Sequence, residues 1–406
     1  MFVNCTSSRI IRVLLIGLLS LLLLFTGCSS ENIGQNIHEI TYSNRVRGWP
    51  MWVAYRDGNT VYGKGGTNYD ISTGILSLNF CEDVQCDGNC YLEMFVTPSQ
   101  LYDGCLYFSA MHPDTHGTMY CYRDNVTGEI EHLLTLGNAE DVQDQFFVDE
   151  DWVYYNHLAP RTGGDPERQE DYVIWVSRMP AKGGTSEAVY EAGDRAELMV
   201  MVADGYLYTT KEGTLYRTDL TTMEQTALFN SDDNGFVTNY GGFQYLDGQL
   251  YFCVNIPGTG ISLPNNAGIV TQPYIVVLDV HSGEWRLLVD VPIVSYVITN
   301  DAVYYTPVDI HQISDPERFA PEDAQTRYLA GSATLYACNL DGTNSHPVYT
   351  DESGRLEYIG SYYTVVDHVY YGRILEFDPE ANDFTKYYFA EIHFDTGEMI
   401  VADEAE

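Results

Sequence analysis

Short runs of alternating apolar and polar residues, cut by tight-turn signals, cover most of this 406-residue chain. The stretch "DGQLYFCVN" (247–255) is one of many similar phrases, among them "DGCLYFSA", "DEDWVYYNH", "DGYLYTTK", "NDAVYYTP" and "VDHVYYGR". Val, Ile, Tyr, Phe and Thr fill these runs, and no stretch keeps a clean 3.6-residue apolar period for three turns. That pattern predicts an all-β chain whose strands bury one face per alternate residue.

Aligned on their tyrosines, the phrases anchor at Tyr62, Tyr107, Tyr154, Tyr208, Tyr251, Tyr304 and Tyr370, with steps of 45, 47, 54, 43, 53 and 66 residues. A period near 45 suits four strands and their loops, the unit of a β-propeller blade. Within one unit, "SYVITNDAVYYTP…SATLYACNLDGTNSHPVYT", a first strand turns at Asn300-Asp301 into a second carrying Val303 and Tyr304. The third strand is expected at Thr334 to Asn339, a turn at Asp341-Gly342, and "HPVYT" as the fourth. A blade alone cannot bury both faces, so the units must close into a ring. Seven blades are expected, with six or eight as alternatives, and closure by a strand near "HEITYSN" would shift the register by one strand. The longer steps come from inserted loops at 159–171, 256–273 and 309–328, which are the candidate contact elements because function concentrates on loops held by a rigid scaffold.

The chain's first residues read differently. Arg9 and Arg12 precede an apolar run from Val13 to Phe25, short for a membrane span and right for a signal peptide. It ends in Phe25-Thr26-Gly27-Cys28, which resembles the bacterial lipobox with Phe25 where Leu is usual. That resemblance implies cleavage before Cys28 and lipid attachment on its thiol. The expected organisation is a signal peptide at 1–27, a polar lipid-anchored tether at 28–45 and one propeller at 46–403. The expected location is extracytoplasmic, on the bacterial cell membrane. An uncleaved anchor or a secreted protein is the alternative. With 58 acidic against 20 basic residues the chain carries a net charge of −38, which excludes nucleic acid as a partner. The charge is spread along the chain and is read first as a solubilising surface.

The repeated phrase, best seen in "ATLYACNLDGTNSHPVYT", resembles the YWTD-type propellers of lipoprotein receptors and, more closely, propeller lipoproteins of Gram-positive bacteria. Those bacterial proteins often carry an early cysteine cluster with a nearby histidine. Here "CEDVQCDGNC" supplies Cys81, Cys86 and Cys90 without a histidine.

Among the candidate chemistry, Cys81, Cys86 and Cys90 fit a loop disulfide or free thiols, or a structural zinc completed by a fourth ligand from elsewhere. Cys105 and Cys121 fall on flanking strands of one hairpin and are candidates to face each other. Cys253 and Cys338 read as small buried hydrophobes. His112 and His116 bracket a Pro-containing hairpin loop. "NSDDNGF" (230–236) has the oxygen density of a calcium loop but lacks the EF-hand's later acid, leaving a turn between blades as the first reading. No resident cofactor is expected, calcium and zinc being the alternatives. Trp49, Trp52, Trp152, Trp175 and Trp285 fit blade packing or sugar platforms. No Gly-x-Ser-x-Gly elbow or His-Glu-x-x-His motif occurs. The function expected is a binding or scaffold module for an envelope protein, peptide or glycan, without catalysis. The alternative is a carbohydrate-active enzyme with paired carboxylates in the propeller funnel.

Overall fold

The computed structural model describes residues 47–48, 55–62, 68–77, 97–112, 117–137, 146–193, 197–257, 261–262, 269–270, 273–308, 334–351, 356–357, 363–378 and 383–404. Among them, seven sheets of four or five strands follow one another along the chain. Blade 1 is Tyr55–Asp57, Thr60–Tyr62, Asn68–Asp70 and Ile75–Ser77; blade 2 is Thr97–Tyr102, Cys105–Met111, Thr118–Asp124 and Ile130–Thr135. Blade 3 is Phe146–Asp149, Trp152–Pro160, Tyr172–Pro180 and Glu187–Glu191; blade 4 is Leu198–Ala203, Tyr206–Lys211, Thr214–Asp219 and Gln225–Asn230. Blade 5 is Val237–Leu246, Gln249–Asn255, Pro273–Asp279 and Trp285–Leu287; blade 6 is Ala302–Pro307 between Ile293–Ile298 and Thr334–Asn339, with His346–Thr350 outermost. Blade 7 has Tyr363–Val366 and the short Leu356–Glu357 on one side of Val369–Asp378, then Asp383–His393 and Glu398–Val401. We call the four strands of each blade A to D, from the ring's axis outward.

Strands A and their neighbours touch from blade 1 through blade 7, and blade 7 returns to blade 1 through Tyr363–Val366 against Tyr55–Asp57. The sheets therefore form a closed β-propeller. All seven anchor tyrosines lie on strand B, so "DGQLYFCVN" is the turn from A to B followed by strand B itself.

The turns explain the repeated acids. At Asp247 and Gly248 both φ angles are positive, 47° and 80°, the geometry of a two-residue hairpin turn whose twist matches the flanking strands. Asp103-Gly104 and Asp204-Gly205 repeat it. A second acid closes strand C. The Asp219 carboxylate accepts the backbone N–H of Thr221 at 2.7 Å and of Thr222 at 2.9 Å, and Asp124 and Asp279 do the same two and three residues on. These side chains mimic a backbone turn, which is why "DNVTGE", "DLTTME" and "DVHSGE" recur.

Apolar rows fill the spaces between blades. One cluster joins Phe147 and Tyr154 of blade 3, Met201 and Leu207 of blade 4, and Phe243 and Leu250 of blade 5. Others join blades 5 to 6, 6 to 7 and 7 to 1. Polar stitches cross the same interfaces. The Gln100 side-chain carbonyl accepts the Val148 N–H of the next blade at 3.0 Å, and Gln244 accepts that of Ile298 at the same distance. Tyr107 donates its hydroxyl to the Ala181 carbonyl at 3.2 Å, and Tyr251 donates to Leu340 at 3.3 Å, each reaching the C–D turn of the next blade.

The outer edge of blade 1 takes a strand from late in the chain. Asp403–Glu404, two residues past Val401, pairs in parallel with Ile75–Ser77, the outermost strand of blade 1. The chain before the ring takes another place: Arg47 and Gly48 pair antiparallel with Tyr245 and Gln244, on the axis-facing edge of blade 5. The "HEITYSN" segment lies outside the described residues.

Candidate binding end

The two ends of the propeller differ. Every A–B and C–D connection lies at one end, the turn end, and none among the described residues is longer than six residues. Every B–C connection lies at the opposite, loop end. In blade 4 it is only 212–213, but it runs over 161–171 in blade 3, 256–272 in blade 5 and 308–333 in blade 6.

The blade 3 loop is built, not loose. Strands B and C continue their ladder to Pro160 opposite Tyr172, so the first two residues assigned to this loop from the sequence are strand. Beyond them, Thr162 Oγ1 donates to Glu191 at 2.5 Å and its N–H does so at 3.0 Å. Asp171 accepts from the Asp165 N–H at 3.0 Å, and Tyr172 donates to the Pro166 carbonyl at 3.0 Å. Trp175 spends its indole N–H on Pro160. The blade 5 loop contains a small hairpin, Ile261–Ser262 with Ile269–Val270, and its last residue by the sequence reading, Pro273, begins strand C. The loop at 309–328 lies outside the described residues.

The buried carboxylates among the described residues are already engaged. Asp149 accepts the N–H of Asp204 at 3.3 Å and of Gly205 at 3.0 Å, tying blade 3 to the next blade's turn. Glu197 accepts from Tyr190 at 2.5 Å, Thr209 at 3.1 Å and the Gly193 N–H at 3.0 Å. Glu391 bridges blades 7 and 1, accepting from Tyr69 at 3.2 Å and pairing with His393 at 2.5 Å. Each is a structural bridge.

The predicted site residues fall as follows. Cys81, Cys86 and Cys90 lie outside the described residues, as do Cys28, His116, Trp49 and Trp52. Cys105 and Cys121 do not face each other. Phe108 stands opposite Cys121 and Asp124 opposite Cys105, so the two thiols sit on opposite faces of the sheet. An odd sequence offset from the register partner puts them there. Lys182 donates to Cys105 at 2.7 Å and stands 4.9 Å from the Tyr122 ring centroid. Burial outweighs this ammonium and holds the Cys105 thiol above its ordinary value, so it stays a protonated thiol. Cys253 and Cys338 are free and pack in one cluster, with burial pushing their thiols up to about 12 and about 11.

His112 donates its backbone N–H to Gly117, closing a hairpin loop. In "NSDDNGF" the oxygens serve a turn. Asn230 Oδ1 accepts from Asp233, Asn234 Oδ1 accepts the Trp285 indole, and Phe236 packs edge-on against Trp285. No group of three His, Cys, Asp or Glu side chains among the described residues is placed to hold a metal ion. Trp152 lies under the Arg178 guanidinium at 4.2 Å, which makes it blade packing.

No family model matches the chain, and no curated protein matches it in sequence. Among solved structures, an acylaminoacyl peptidase bound to a chloromethyl ketone is similar at 10% identity and a TM-score of 0.48, over 89% of this chain and 53% of that one. The Pyrococcus horikoshii acylaminoacyl peptidase gives 10% identity and 0.45, over 91% and 53%, so the chain spans about half the length of either peptidase. The propeller domain of the Trilobed protease from Pyrococcus furiosus gives 8% identity and 0.43, over 77% and 88%. The propeller fold of this chain stands on its own strand topology: seven sheets in a closed ring.

Proposed function

We propose that this chain is a membrane-anchored, extracytoplasmic propeller lipoprotein, held by lipid on Cys28, that binds an envelope protein, peptide or glycan at its loop end. One observation carries the binding reading: the long connections leave from a single end of the ring, the arrangement that rigid scaffolds use to present contact loops. The described buried carboxylates all serve inter-strand or inter-blade bonds. Carbohydrate-active chemistry is the alternative reading and would need carboxylates other than these three.

The test is a thermal-shift screen of the protein against cell-wall fragments, glycans and peptides, run beside a variant whose 161–171 loop is cut to two residues, the length found in blade 4. Ligand at about 100 times its dissociation constant raises stability by roughly 2.7 kcal/mol. A shift in the parent that the shortened variant loses supports the reading. A shift that is equal in both moves the site away from this loop. Turnover of a glycan hit would favour the enzyme.

A further inference from the structure

We propose that the outermost strand of blade 7 is a docking edge for an extended segment of a partner protein, one whose apolar centre is flanked by lysine or arginine. This edge lies on the rim of the ring, apart from the loop end, and does not depend on the reading above.

The observation is a contrast between equivalent strands. In blades 2 to 6, strand D tucks its large apolar side chains inward and turns polar or small residues and proline outward. Leu133 and Leu134 of blade 2, Val189 and Tyr190 of blade 3 and Leu228 of blade 4 are all half-buried. Blade 7 departs from this. All four residues of Glu398–Val401 are exposed, and three of them are apolar: Met399 at 36%, Ile400 at 39% and Val401 at 42%. Asp403, two residues on, pairs with Ile75 of blade 1, which is 44% exposed. Four of the seven large apolar side chains exposed among the described residues therefore gather at this one seam.

The backbone of the strand is open as well. Met399 stands opposite Ile392 and Ile400 opposite Glu391 of strand C. Among the described residues, no strand pairs with the other side of Glu398–Val401. Natural sheets blunt such an edge with lysine, proline, a bulge or a cover, and "EMIV" carries neither lysine nor proline. Apolar residues grouped on an open edge mark a contact surface. The mode that fits is strand addition: main-chain hydrogen bonds hold the added segment, and its alternate side chains meet the apolar row.

Charge selects the occupant. Residues 394–406 contain five acids and no lysine or arginine, and Asp395 and Glu398 stand exposed beside the apolar run. A second copy of the chain would bring the same acids against themselves, on top of a net charge of −38 on each molecule. A segment with cations on both sides of an apolar centre pairs them with these carboxylates while its centre covers Met399, Ile400 and Val401.

The test uses the full chain and a short fluorescent peptide of alternating valine and threonine with a lysine pair at each end. One control peptide carries glutamate in place of lysine, and another has its alternate amides N-methylated so that they cannot donate. The lysine peptide is expected to raise polarisation, less so as salt rises, and both controls to fail. Ile400→Lys should weaken the lysine peptide at least about tenfold, the worth of one buried isoleucine side chain. An unchanged urea midpoint shows that this variant is folded, and Met399→Lys repeats the reading from the other face of the strand. On binding, hydrogen exchange should slow at 398–401 and not at Gln225–Asn230, the outermost strand of blade 4. The chain with the shortened 161–171 loop should bind as the parent does. No binding, equal affinity for the glutamate peptide, equal affinity of the parent and both variants, protection elsewhere, or loss with the shortened loop each overturns the proposal. Dimerisation that Ile400→Lys abolishes would place a second copy on the edge and overturn it too.

Discussion

Three strand B tyrosines occupy equivalent places but differ in what their hydroxyls meet, and this yields a prediction with opposite signs. Tyr107 and Tyr251 each reach a carbonyl on the next blade's C–D turn, Ala181 at 3.2 Å and Leu340 at 3.3 Å. The carbonyl in the corresponding place for Tyr208 is that of Val280, which accepts from the Arg217 guanidinium. The Tyr208 hydroxyl is fully buried and meets no acceptor among the described residues, and burial raises its pKa. Removing the oxygen from Tyr107 or Tyr251 forfeits a long hydrogen bond, a loss of about 0.5–1.5 kcal/mol, the Leu340 carbonyl keeping the Arg286 guanidinium at 3.5 Å. Removing it from Tyr208 relieves an unsatisfied buried group whose burial costs about 1–3 kcal/mol. Tyr208→Phe is therefore expected to raise the urea midpoint, and Tyr107→Phe and Tyr251→Phe to lower it, with unchanged slope. The rings stay in place in all three, so packing cancels. If Tyr208→Phe destabilises as much as Tyr251→Phe, the reasoning fails and the hydroxyl is satisfied by a buried water.

Gln244→Ala leaves the Ile298 N–H buried without its acceptor, so a loss of about 1–3 kcal/mol is expected, with hydrogen exchange of that amide accelerated more than exchange of Val148. Truncation after Val401 removes the closing strand from Ile75–Ser77; blade 1 amides should lose protection before those of blade 4, and equal protection in the two would refute this. Asp70, Asp219, Asp279 and Asp341 are held below the usual carboxylate range by side-chain and backbone hydrogen bonds from Ser72, Thr222, Ser282 and Thr343. With folded values below unfolded ones, their contribution is present above roughly pH 4 and fades as pH falls through the folded values. Replacing all four with Asn should flatten the acid limb of the stability profile, and an unchanged limb would contradict the assignment. At the alkaline side, burial pushes Tyr251 and Tyr304 up to about 12; stability should be full below about pH 10 and decline as pH rises toward 12, as read by tyrosinate absorbance with unfolding.

The repeat was legible because strand B carries its signal locally: a positive-φ turn, then alternation ending on a tyrosine. Strand limits in blade 6, Thr334 to Asn339 and the "HPVYT" strand, follow from the same alternation and match the structure. What alternation cannot convey is pairing between distant segments. Asp403 with Ile75 and Arg47 with Tyr245 involve two-residue strands too short to carry a period. The Cys105 and Cys121 misreading has the same origin, since facing depends on register and not on membership of one hairpin. The inter-blade roles of Gln100 and Gln244 were missed too. Their signal, a glutamine seven residues before the strand B tyrosine in both blades, stands out only once two blades are superposed. The oxygen-rich 230–236 stretch looked like a cation loop because turn chemistry and cation chemistry draw on the same residues.

The closing strand has a consequence for how the chain reaches its fold. Its partner, Ile75–Ser77, is made more than three hundred residues before Asp403–Glu404. Until then the outer edge of blade 1 is an unpaired template, and the seam residue Tyr69 has no Glu391 to meet. Such distant pairing is slow in the manner of high contact order. Until Asp403–Glu404 is made the propeller is therefore an open ring, whose two flanks must be kept from other chains.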